Sequence, residues 1–142
     1  MLTRRGVMEL GLACSVAALL PWRAGAEVPT LDEMRQAFTS GAATEAGGLE
    51  LNITELAENG ASVPVELRAP EGAVALMMLM PGNFQPHAFT ARFGPAAGSP
   101  RLATRIRLAQ SQEVIALAEM ADGRFLEARK HVDVTLGGCI TG

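Results

Sequence analysis

Leu102-Ala103-Thr104-Arg105-Ile106-Arg107-Leu108 is the stretch on which the fold turns. Leu102, Thr104, Ile106 and Leu108 alternate with Ala103, Arg105 and Arg107. A strand sends successive side chains to opposite faces. The stretch therefore predicts a half-buried strand, with Leu102, Ile106 and Leu108 inward and both arginines in solvent. Downstream, Val114 to Met120 is apolar throughout, and Asp122-Gly123 reads as a hairpin turn. Leu126 and Ala128, then Val132, Val134 and Leu136, make up a last strand.

Upstream the same period recurs. Phe89, Ala91 and Phe93 alternate with Thr90 and Arg92, and Gly94-Pro95 closes that run. Val74 to Met80 is continuously apolar, so both its faces are expected to be covered. Core filling is the expected role of Met77, Met78 and Met80. Val63, Val65 and Leu67 alternate with Pro64, Glu66 and Arg68, and Pro64 marks this strand as an edge or a bulge. Leu49, Leu51 and Ile53 begin the series. Turns fall at Asn59-Gly60, Pro70-Glu71-Gly72 and Pro81-Gly82-Asn83. Before them, Thr30 and Glu33 form a capping box, and Leu31, Met34 and Phe38 recur at helical spacing. A short helix over about Leu31 to Thr39 is expected. The whole reads as an antiparallel β-sandwich of immunoglobulin type, with about seven strands, after one N-terminal helix.

The chain opens as an export signal. Arg4-Arg5 precedes an apolar run from about Leu10 to Leu20, and Ala24-Gly25-Ala26 follows as a small-residue cleavage site. The run is too short to span a bilayer. The paired arginines favour the twin-arginine route, and with it a periplasmic location. Residues 1–26 are thus read as signal peptide, 27–136 as the sandwich and 137–142 as a C-terminal arm. Cleavage removes Arg4, Arg5 and Arg23 from twelve basic residues and Glu9 from fifteen acidic ones. Nine against fourteen remain, a net charge of −5 with neutral histidines. That balance argues against nucleic acid as a partner, and no second apolar run reaches membrane-spanning length.

Cleavage also leaves a single cysteine, Cys139, within Gly137-Gly138-Cys139-Ile140-Thr141-Gly142. Two glycines widen the backbone's choices and offer nothing to pack. One unpaired thiol in an exported chain points to a reactive group or an intermolecular bond. No Lys, Arg or His lies within six residues of it. An unperturbed thiol has a pKa near 8.5, so little of it is thiolate at neutral pH. A carrier whose partner supplies the activation fits better than a self-sufficient redox enzyme; a disulfide-linked interaction module is the alternative. His87 and His131 are the only histidines, His87 in a proline-bounded loop and His131 in the last strand. Neither has a spacing partner for a metal, so no catalytic residue, metal or cofactor is assigned. Arg101, Arg105 and Arg107 read first as a solvated face and second as a docking patch for anions or an acidic partner.

Gly-Gly-Cys after Val132-Asp133-Val134-Thr135-Leu136 resembles the C-terminus of SoxY, the sulfur-carrier subunit of the bacterial thiosulfate-oxidising Sox system. Three further segments, Glu58 to Val65, Thr104 to Ala109 and Val114 to Gly123, look like strands of that family, and Asn83 and Pro86 match the ends of its Asn/Pro-rich loop. The resemblance implies an immunoglobulin-like subunit paired with a second β-sandwich protein, SoxZ. It implies that Cys139 carries thiosulfate-derived sulfur covalently on a swinging arm of Gly137 and Gly138. It implies haem-containing, hydrolase and dehydrogenase partners that act on the adduct in turn. The family usually ends Cys-Gly-Gly, whereas here Ile140, Thr141 and Gly142 follow the cysteine. The two β-branched side chains add bulk that a partner's cleft must admit.

Overall fold

A computed structural model describes Gly25 and residues 27–136. Residues 1–24, Ala26 and 137–142 lie outside the described residues, and with them nearly all of the expected export signal and the whole of the expected arm. The expected helix is present as α1, Leu31–Thr39. Thr30 caps it: its hydroxyl accepts from the Glu33 amide at 3.3 Å, and the Glu33 carboxylate accepts from the Thr30 amide at 2.7 Å. Ser40 ends the helix in the left-handed region, φ 54°.

Nine strands follow: β1 Thr44–Ala46, β2 Glu50–Ile53, β3 Leu56–Ala57, β4 Val63–Arg68, β5 Ala73–Leu79, β6 His87–Arg92, β7 Arg101–Ile106, β8 Gln112–Met120 and β9 Phe125–Val134. They form two sheets, one in the order β1-β9-β8-β5-β6 and one in the order β2-β4-β7. The ladders linking β5 to β6, β5 to β8, β8 to β9, β2 to β4 and β4 to β7 are antiparallel. Two short parallel pairings complete β9: β1 along its start and β3 along its end. β1 and β3, three and two residues long, are too short to show a period, and sequence reading passes over them.

The alternation that predicts β7 holds. Ile106 and Leu108 are buried, Leu102 is half-buried, and Arg105 and Arg107 are exposed. Between the sheets, Val63, Val65 and Leu67 of β4 meet Leu76 and Met78 of β5, Val114 and Ala116 of β8, and Val132 of β9. The opposite face of β5 and β8 is closed by α1. Leu31, Met34 and Phe38 pack there on Met77, Leu79, Ile115 and Leu117. Phe38 also meets Phe125 edge-on, with ring centroids 6.0 Å apart. Both faces of β5 are thus covered, as its unbroken apolar run requires. Met77, Met78 and Met80 are all buried, which is the core-filling role.

Three local expectations need correction. Pro64 lies on the central strand of the small sheet, not an edge. β2 pairs only with Val65 to Arg68, however, so Pro64 has a ladder partner, Arg105, on one side alone. The missing N–H is accommodated because the strand is locally an edge. His87 is not a loop residue but the first of β6. β9 ends at Val134, and Leu136 is 66% exposed, because the sandwich has run out of facing residues by then.

Candidate functional site: the root of the cysteine arm and the loop beside it

β9 delivers the chain to the arm, and its end is fastened from two sides. The Asp133 amide donates to the Glu55 carbonyl at 2.8 Å and the Thr135 amide to the Ala57 carbonyl at 3.1 Å. The Thr135 hydroxyl donates to the Glu58 carbonyl at 3.1 Å. From the other side, the Ser111 hydroxyl accepts from the Val134 amide at 2.8 Å. The last bond, from the Gly60 amide to the Leu136 carbonyl, is 2.8 Å long. The backbone is therefore held up to the residue before Gly137. From Leu136 to Cys139 an extended chain spans about 10 Å at 3.3–3.6 Å per residue.

Next to this root the loop between β5 and β6 is built around Asn83. Its amide nitrogen donates to the Arg107 carbonyl at 2.6 Å and approaches the Met80 sulfur at 3.6 Å. Its oxygen accepts from the Ala109 amide at 2.9 Å and from Gln112 Nε2 at 2.8 Å. Gln112 Oε1 in turn accepts from the Gly82 amide at 2.8 Å. A Cβ at position 82 would come within 2.9 Å of the Gln112 side chain, so the residue there must be glycine. Sequence reading sees Pro81-Gly82-Asn83 as a turn and does not see the pairing with Gln112. A buried glutamine thirty residues away leaves no local signal.

The three arginines of the β7 region separate into two kinds. Arg101 bonds Glu66 at 2.8 Å, and Arg68 bonds the same carboxylate from its other side. Hydrogen bonds from Arg101, then Arg68, pull the Glu66 carboxyl down to about 2. Arg105 instead reaches the Ser62 hydroxyl at 3.1 Å. Among the described residues, neither Arg105 nor Arg107 forms an ion pair. His87 Nε2 lies 2.9 Å from the Thr90 hydroxyl, and His131 Nε2 lies 3.1 Å from Asp133 Oδ1. Both histidines are exposed. Among the described residues, no three His, Cys, Asp or Glu side chains gather as a metal site. No helix among them is long and apolar enough to cross a membrane.

A second polar cluster, also missed from sequence, joins α1 to the large sheet. Glu127 of β9 is bonded by Arg35 of α1, by Thr44 of β1 at 2.6 Å, and by Arg129. Burial by itself would raise the Glu127 carboxyl. The bonds from Thr44, Arg129 and Arg35 outweigh it and hold the group below the usual carboxylate range. Arg35 and Thr44 lie 92 and 83 residues from Glu127 in sequence, which is why no motif announces them.

The described residues form an immunoglobulin-like sandwich whose last strand is clamped where the sequence runs on into Gly-Gly-Cys. The sequence profile described as "Sulfur oxidation protein SoxY" matches residues 34–139. The chain belongs to the SoxY family. No match is found among curated proteins. Among solved structures, the sulfur carrier protein SoxY from Chlorobium limicola f thiosulfatophilum is similar, with a TM-score of 0.67 and 26% identity over 75% of this chain and 97% of that one. A superoxide reductase (neelaredoxin) from Ignicoccus hospitalis follows with a TM-score of 0.54 and 16% identity over 75% of this chain and 93% of that one. The latter likeness concerns the fold alone.

Proposed function

We propose that this chain is a non-catalytic sulfur carrier, exported by the twin-arginine route to the periplasm, that holds thiosulfate-derived sulfur covalently on Cys139. Gly137, Gly138, Ile140, Thr141 and Gly142 are the arm that presents it. The observation that carries the reading is the family match, which runs through the arm's glycines to Cys139. The clamped end of β9 supports it, because a fixed root and a short glycine tether suit delivery into another protein's cleft. A SoxZ-like sandwich is the partner subunit, and haem-containing, hydrolase and dehydrogenase enzymes act on the cargo in turn.

The chemistry requires those partners. Joining the Cys139 thiolate to the outer sulfur of thiosulfate forms Cys–S–S–SO₃⁻ and releases two electrons. Nothing in the described residues accepts them, and a haem-containing partner is the class of protein that can. The thiol has no basic neighbour in sequence to lower its pKa, so activation also falls to the partner. Cys139→Ser tests the proposal. It is expected to abolish sulfur loading while folding stability stays within about ±0.5 kcal/mol, the usual range for a surface change. A loss of several kcal/mol in a denaturant melt would make Cys139 structural and overturn the reading.

A further inference from the structure

We infer that the loop joining β5 to β6, with two arginines beside it, is a docking surface for a different protein. Phe84 enters an apolar pocket of that partner, and carboxylates on the pocket's rim meet Arg105 and Arg107. Five phenylalanines occur in the chain. Phe125 is buried, and Phe38, Phe89 and Phe93 are half-buried against the two apolar clusters. Phe84 belongs to neither cluster and is 87% exposed. Scattered exposed aliphatic side chains are ordinary. A phenyl ring that adds nothing to the core is the kind of side chain that interfaces collect.

The loop is fixed on both sides of the ring. The Met80 amide donates to the Pro86 carbonyl at 2.6 Å, closing the neck, and the Asn83 amide donates to the Met80 carbonyl at 3.1 Å. Gln112 Oε1 accepts from the Gly82 amide at 2.8 Å, and the Asn83 side chain bonds Arg107, Ala109 and Gln112. Pro81 and Pro86 lock φ at two further positions. Phe84 is therefore presented by backbone that is already ordered, and a partner covering it loses little to ordering the loop.

Charge decides what kind of partner fits. Asn83, next to Phe84, donates to the Arg107 carbonyl at 2.6 Å, which sets the loop against the chain just past β7. Gln85, His87, Arg105 and Arg107 line one depression there, and no Asp or Glu joins them. Among the described residues, Arg105 and Arg107 meet no carboxylate, whereas the other six arginines each do. This holds although acidic side chains outnumber basic ones in residues 27–136. An acidic partner face supplies the missing counter-charges, and guanidinium and carboxylate pair two bonds at a time. A second copy of this chain is a poor occupant. Across a two-fold axis the patch would face itself and set each arginine pair against its own copy. Joined to another face of a copy, the contact would repeat as a ring or filament and not stop at a pair. The inference uses neither the cysteine nor its cargo, so it stands or falls apart from the carrier reading.

The test puts a photo-reactive phenylalanine analogue at position 84 of the full chain, in the cell that makes it. Irradiation is expected to join that position to another protein, through a peptide that combines apolar residues with Asp or Glu. The same analogue in place of Leu56, an exposed side chain on β3, should not capture that protein. The captured protein is then purified, and its binding to the unlabelled chain is followed by surface plasmon resonance. Phe84→Ala is expected to weaken binding about ten- to hundredfold, through faster dissociation. Arg105→Gln/Arg107→Gln should slow association about three- to tenfold and flatten its fall with added salt. Arg124→Gln, at an exposed arginine already 2.8 Å from Asp122, is the charge control and should change neither rate by more than about twofold. Melting temperatures should stay at the parent's, since none of these side chains belongs to the core. No capture from position 84, capture of a second copy of this chain, or a contact peptide without acidic residues would overturn the inference. So would an affinity indifferent to Phe84→Ala, or an equal effect of Arg124→Gln. A lowered melting temperature in Phe84→Ala would make the ring structural and overturn it as well.

Discussion

Asn83 uses its whole side chain to fix the loop beside the arm. Replacing it with alanine removes the bonds to Arg107, Ala109 and Gln112, and leaves Gln112 Nε2 with the Gln110 carbonyl as its remaining acceptor. Asn83→Ala is expected to cost about 2–3 kcal/mol, since three bonds are lost and each contributes about 1 kcal/mol. A urea melt measures this. Glu66 makes a different kind of prediction. Arg101 and Arg68 lower its pKa from 4.5 to about 2 in the folded chain. A depressed carboxylate contributes stability that is present above pH 4.5 and is lost as pH falls through about 2. Glu66→Gln should therefore flatten that part of the stability–pH curve and leave the curve above it parallel to the parent's. An unchanged slope between those limits would show that the pair contributes nothing.

At the scale of elements, α1 is held to the sheet by an apolar face and by one carboxylate. Leu31, Met34 and Phe38 cover β5 and β8, while Arg35 and Thr44 both bond Glu127. Glu127→Gln is expected to destabilise the fold by about 1–2 kcal/mol, the value of charge-assisted bonds discounted for solvent screening. Hydrogen exchange should rise first in β1 and around Arg35 in the middle of α1, where the bonds are lost. Uniform loss of protection across β8 would contradict that assignment. Because the folded pKa of Glu127 is depressed, this contribution is present above its unfolded pKa and fades in acid. These elements also mark what sequence could and could not tell. α1 was legible because its cap and its apolar spacing are both local. β7 was legible because alternation over seven residues is local too. β1 and β3 were not, since three- and two-residue strands exist only through their pairing with β9. Pro64 misled for the same reason: where β2 stops is a property of the neighbour, not of Pro64.

As a whole, the described residues form a two-sheet sandwich covered on one face by a helix. Buried side chains from both sheets form one continuous cluster, and α1 seals a second on the far side. The proposal for Cys139 rests on composition alone, as the one cysteine that the expected signal cleavage would leave. The split among the arginines was not legible. Arg105 and Arg107 look like Arg101 in sequence, and only the packing shows that Glu66 takes Arg101 and leaves the other two. The central claim, that Cys139 carries oxidised sulfur as a covalent adduct, is tested most directly by the intact mass of the protein purified from periplasm during growth on thiosulfate. The account predicts a family of masses above the signal-cleaved chain, differing by sulfur and sulfonate units, mapped to the peptide containing Cys139 and removed by reductant. A mass that is always that of the bare chain, or one raised by a whole partner polypeptide and collapsed by reduction, would contradict it.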